Sequence, residues 1–115
     1  MKTATPTNAV NIIDLETAVK DLDSDLGKNI NAQLLHKTTG MQIMLIGLDA
    51  KAELKRHSAS GPISLQIIKG SISFRTDDTS YDLTNGQLLS LEANEPHSVY
   101  AYERSIFIVT KSIPE

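Results

Sequence analysis

A chain of 115 residues, 40% of them hydrophobic, is long enough to bury one core and too short for two domains of ordinary size. Its net charge of −3 argues against a nucleic-acid partner, because phosphate binding needs clustered Lys and Arg, and the nearest thing to a basic run, Lys51 to Arg56, is interrupted by Glu53. The absence of cysteine removes disulfides, thiolate chemistry and cysteine-based zinc sites together. No stretch approaches the ~20 apolar residues that cross a bilayer, and MKTATPTNAV lacks the apolar run of a secretion signal. The sequence therefore predicts a cytoplasmic protein with neither membrane nor nucleic acid among its partners.

Residues 1–9 are polar and predicted to fray. In the segment that follows, Ile12, Leu15, Val19, Leu22 and Leu26 recur at spacings of three and four, which marks one face of a short helix over about 15–26. Asp14 suits its N-cap and Gly27 its C-terminal stop. Asp21, Asp23 and Asp25 alternate here, but an EF-hand loop needs a Gly at its sixth position and a Glu at its twelfth, and neither is present. The three carboxylates are read as a solvated face.

From residue 30 the period changes to two. INAQLLHK and MQIMLIGL read as strands joined at Thr38-Thr39-Gly40. The second places Gln42, Met44, Ile46 and Leu48 on one face and Ile43, Leu45 and Gly47 on the other, so both faces need cover. AELKRH, Ile63–Lys69, SISFRT, SYDL, Gln87–Leu91, His97–Tyr102 and Ser105–Lys111 follow as strands, with Asn85-Gly86 as the strongest hairpin signal. Eight or nine short strands with turn residues between them predict an all-β sandwich or barrel. The organisation expected is a tail and short helix over 1–29 and a β-barrel domain over 30–115.

The chemistry-bearing residues are few. His57 opens the stretch HSASGPISLQIIKG, which closes on Gly70, and His97 lies far downstream in NEPHSVYA. Each stands near a strand end, where it can face one barrel mouth or be an ordinary strand-end histidine. His36, the third histidine, is read as structural, with the phase of its strand left open. No Ser-His-Asp set, phosphate loop or carboxylate pair stands out.

From about Leu35 to Lys111 the chain resembles the cupins, small jelly-roll barrels also called double-stranded β-helices. The first cupin motif has His-x-His, then a Glu, and closes on a Gly. His57 takes its first histidine and Gly70 its closing glycine, while Ala59 stands at the second histidine and Ile63 at the Glu. In the second motif Gly86 matches the opening glycine and His97 the histidine. Glu92, Asn94 and Ala101 replace its Pro, inner Gly and Asn, and Asn94 is a tolerable exchange because Asn also visits positive φ.

The resemblance implies a double-stranded β-helix, a metal (Fe, Mn, Ni or Zn) held by three histidines and a carboxylate, and pairing of two copies through a sheet face. Alternation along the strands puts His57, Ala59, Ile63, Leu65 and Ile67 on one inward face with His97, Val99 and Ala101 opposite, a mostly apolar pocket with two imidazoles at one end. Two of the four ligand positions survive, which leaves His57 and His97 for weak metal binding at most unless Glu92, Glu95 or His36 joins them. Three functions stay open. The first, which the lost ligands favour over the second, is a small-molecule binding or sensing barrel working as a homodimer. The second is a metal-dependent dioxygenase, isomerase or decarboxylase with replaced ligands. The third is a metal-free enzyme using His57 or His97 as acid or base.

Overall fold

A computed structural model of the protein describes residues 9–25, 27 and 29–113. The expected fraying of the first eight residues and the place of Leu26 on the helix lie outside these. One helix, α1 (Leu15–Asp25), precedes nine strands: β1 (Ile30–Thr38), β2 (Met41–Leu48), β3 (Glu53–His57), β4 (Ile63–Lys69), β5 (Ser71–Thr76), β6 (Ser80–Thr84), β7 (Leu88–Leu91), β8 (His97–Ala101) and β9 (Ser105–Ser112).

The strands form two antiparallel sheets, one ordered β1-β2-β9-β4-β7 and the other β3-β8-β5-β6. Because side chains alternate across a strand, one face of each sheet supplies the core. Leu65, Ile67 and Phe107 from the larger sheet meet Ile72, Phe74 and Val99 from the smaller one, all at most 2% exposed. Burial of side chains of this size stabilises by roughly 1.5–3 kcal/mol each.

The chain crosses between sheets at two glycine corners. Gly70, at φ +110, ends β4 and starts β5, a conformation L side chains rarely adopt. Asn85-Gly86 does not make the expected hairpin. Its flanking strands, β6 and β7, belong to different sheets, and the Asn85 amide oxygen accepts the Gly70 N–H at 2.7 Å. The Gly86 N–H donates to the Ile67 carbonyl at 2.8 Å, and Gln87 accepts from the Ile67 N–H at 2.9 Å. The left-handed Gly86 that suits a two-residue hairpin serves a corner here, because the chain beyond it finds its partners on β4.

The outer face of β2 and β9 is covered by α1. Ala18 and Leu22 bury against Leu45 and Ile106, with Val19, Leu35 and Ile68 packed around them. The contact stripe is turned from the expected face. Ile12 precedes the helix and is 92% exposed, Leu15 is 40% exposed, and the small Ala18 takes the central place. Asp14 caps the first turn through Thr17, and Gly27, at φ +67, follows the last. Asp23, the middle member of the aspartate trio, is an anchor. Its carboxylate accepts Lys69 Nζ at 2.9 Å and Arg104 Nε at 2.7 Å, which tie the end of α1 to the barrel. These two hydrogen bonds, Lys69 first, hold its carboxyl below the usual range.

Candidate functional site

The registers place the cavity. Across the larger sheet, Lys37 pairs with Gln42, Gln42 with Lys111, and Lys111 with Ile63. The next inward row runs Leu34, Met44, Val109, Leu65, and the one beyond it includes Ile46 and Phe107. On the facing sheet His57 pairs with His97 and His97 with Thr76, while Leu54, Val99 and Phe74 form the row beneath. Between these walls lies a cavity of about 520 Å³, within the range of small-molecule sites. Its deeper walls are Met44, Ile46, Leu54, Leu65, Val99, Phe107 and Val109, and its polar groups gather towards the mouth.

The two histidines are neighbours. Their ring centroids lie 4.3 Å apart at an interplanar angle of 61°, and His97 stacks on Phe74 at 5.3 Å and 15°. His57 Nδ1 lies 2.6 Å from the Lys55 carbonyl oxygen and His97 Nδ1 2.9 Å from that of Glu95. A carbonyl oxygen only accepts, so each Nδ1 carries a hydrogen, and Nε2 is the acceptor of a ring in its neutral form. His57 is exposed, whereas His97 is buried at 4%. Burial pushes the His97 pKa down, the bond to Glu95 opposes that, and the charge of His57 adds to the depression. His97 is therefore neutral at neutral pH.

Of the expected pocket residues, His57, Ala59, Ile63, Leu65, His97 and Val99 line this cavity. Ile67 and Ala101 do not. They are 1% and 0% exposed and belong to the packed core between the sheets. The lining that single-strand patterns miss is the contribution of β2 and β9, together with Lys37 and Lys111. Alternation places Gln42, Met44 and Ile46 on one face of β2, but it does not say which sheet β2 joins. His36 is turned away from the cavity. A register shift between Leu34 and His36 puts it opposite Ile43 instead of an inward residue, and its ring lies 3.5 Å from the Asn11 amide.

The donor set does not fit a four-ligand metal centre. The corresponding positions hold two imidazoles, the Ala59 methyl and the Ile63 side chain, and Ile63 is 7% exposed within the core. Glu95 meets His97 through its backbone carbonyl, and neither Glu92 nor Glu95 lines the cavity. Among the described residues, no three His, Cys, Asp or Glu side chains come together.

Two antiparallel sheets enclosing one open-mouthed cavity define a double-stranded β-helix. No family model and no curated protein matches the chain. Solved structures do. A conserved Streptococcus pyogenes protein of unknown function superposes with a TM-score of 0.73 at 22% identity, over 100% of this chain and 97% of its own. A cupin superfamily protein of Desulfitobacterium hafniense gives 0.72 at 19% identity, over 75% and 79%. An RmlC-like cupin of Desulfovibrio desulfuricans gives 0.68 at 23% identity, over 97% and 96%. The chain is a small domain with the cupin fold.

Proposed function

We propose that this barrel binds a small organic molecule in the cavity between its sheets. The observation that carries the reading is an apolar cavity of about 520 Å³ whose mouth presents two imidazoles, each held through Nδ1 by a backbone carbonyl. Apolar walls with a few fixed polar groups are what a small-molecule site needs: the walls supply affinity and the polar groups orientation. Metal binding at His57 and His97 is secondary in this reading, since two imidazoles repay little of the desolvation of an ion.

The test is a thermal-shift screen of metabolite-sized compounds against the wild-type chain and Ala59→Trp, which fills the mouth from a half-buried position. Compounds that raise the melting temperature of the wild type and not of the variant support the cavity. Hits that stabilise both proteins equally, or no hits at all, refute it.

One observation favours a second reading, acid–base chemistry. Burial keeps His97 neutral with a bare Nε2, the form a general base requires. Turnover of a bound compound that is lost in His97→Gln while binding persists would establish it. The homodimer belongs to the same proposal. Ile30 and Leu34 on the edge strand β1 are 40% and 49% exposed, apolar surface that a second copy would cover.

A further inference from the structure

We propose that the ligand is an amphiphilic organic acid, with its carboxylate at the Lys37–Lys111 end of the mouth and its apolar body along the inward rows of β2 and β9. The inference rests on the cavity being a ligand site and adds the chemical class of the ligand.

Lys37, Gln42 and Lys111 stand directly opposite one another on three neighbouring strands, and all three line the cavity. Adjacent strands lie about 4.8 Å apart, so Lys37 and Lys111 flank Gln42 from the strands on either side of it, and their flexible stems can bring both ammonium groups to one anion, while the Gln42 amide nitrogen lies 3.4 Å from Met44 Sδ. Two residues further in, about 6.6 Å along the strands, the wall is Met44 and Val109. The lining thus changes from cationic to apolar within one row, which is the polarity of a fatty or aryl acid entering tail first.

The charge of the mouth runs against that of the molecule. The chain carries 14 acidic and 11 basic residues, yet among the described residues no Asp or Glu lines the cavity. Among the described residues the ion pairs are made by Arg56, Lys69 and Arg104, and none engages Lys37 or Lys111. Lys111 is half-buried. An anion delivered by the ligand supplies the partner these ammonium groups lack, while an ammonium ligand meets two like charges. On the opposite wall the buried His97 keeps its hydrogen on Nδ1, held by the Glu95 carbonyl, and so offers a carboxylate no charge to match the two ammonium groups.

The experiment is isothermal titration of the full chain with octanoate, octanol and octylammonium, in the wild type and in the double variant Lys37→Gln/Lys111→Gln. Octanoate is expected to bind roughly tenfold or more tightly than octanol, a difference of about 1.4 kcal/mol, and octylammonium not measurably. The double variant is expected to lose that advantage and to bind octanol as the wild type does, which also shows its cavity to be intact. Added salt is expected to weaken octanoate alone. Equal affinity for octanoate and octanol, or octanoate binding untouched by the double variant, overturns the anion while leaving the cavity reading standing. Binding of none of the three probes also overturns it, and the screen against Ala59→Trp then decides the cavity reading by itself.

Discussion

Gly70→Ala tests the corner on which the two sheets meet. Gly70 has φ +110, and a Cβ built there stands 2.6 Å from both Cα and Cβ of Ser105, where ordinary contact begins at 3.4 Å. The nearest atom is the Ser105 hydroxyl oxygen. Ser105 cannot yield easily, because it is 0% exposed and its hydroxyl accepts the Ser71 N–H at 3.0 Å and donates to the Glu103 carbonyl at 2.7 Å. Backbone strain of roughly 1–3 kcal/mol, overpacking of similar size and about 1 kcal/mol for each of the two hydrogen bonds distorted together give a loss of about 4–8 kcal/mol. That is a large part of the roughly 5–15 kcal/mol that holds a domain folded. The assay is urea unfolding followed by circular dichroism. Gly40→Ala is the control, because Gly40 also has positive φ, +87, but nothing lies within 4 Å of its Cβ direction, so only strain of about 1–2 kcal/mol applies. If Gly70→Ala costs no more than Gly40→Ala, the close approach to Ser105 is not what fixes this corner.

Two further outcomes follow from the same physical reasoning. The folded pKa of His97 lies below 6.5, so as pH falls through 6.5 the unfolded chain takes up a proton before the folded one, and stability drops until the depressed folded pKa is passed. The slope from this one group cannot exceed about 1.4 kcal/mol per pH unit. Urea midpoints measured from neutral to mildly acidic pH should fall more steeply in the wild type than in His97→Gln, and parallel curves would refute the assignment. Asp23→Ala removes the carboxylate that Lys69 and Arg104 share, a partly exposed pair of contacts worth roughly 1 kcal/mol together. The loss should shrink at high salt, and hydrogen exchange should quicken in α1 before it does in the sheets.

The strands were legible because each carries its own period and its own turn residues, and the nine observed match the eight or nine expected within a residue or two at most ends. Asn94 was legible as a glycine substitute, and it does adopt φ +67. What was not legible depends on register between distant strands. Asn85-Gly86 has the composition of a hairpin, and only the bonds of Gly86 and Gln87 to Ile67 make it a corner. Strict alternation assigns Ile67 and Ala101 to the inward face, but it cannot tell the open end of a barrel from the packed end. His36 escapes because a bulge inverts the phase of β1 between it and Leu34. The lysine row is invisible in one dimension, since Lys37 and Lys111 lie far apart in the chain and share a row only because β1 and β9 both flank β2.

Residues 59 and 63, where the cupin-like pattern would have a histidine and a glutamate, bear directly on the cationic mouth. Ile63 occupies the place where the cupin-like pattern would have a glutamate, and it stands directly opposite Lys111 on the neighbouring strand. Side chains paired this way lie close enough to interact, about 4.5–5.5 Å between Cβ atoms. A carboxylate at residue 63 would face the lysine, neutralise it and hold its head away from the cavity. Isoleucine does none of this: it adds apolar wall and, among the described residues, leaves the Lys111 ammonium without an ion-pair partner. Ala59 acts in the same direction by opening volume at the mouth where a third imidazole would have filled it. Ala59 and Ile63 thus give the cavity dry walls and, among the described residues, leave its lysine rim without a carboxylate. Ile63→Glu should reverse the second effect and abolish octanoate binding. If that variant, shown to fold by circular dichroism, binds octanoate as the wild type does, Lys111 is not the anchor of the ligand.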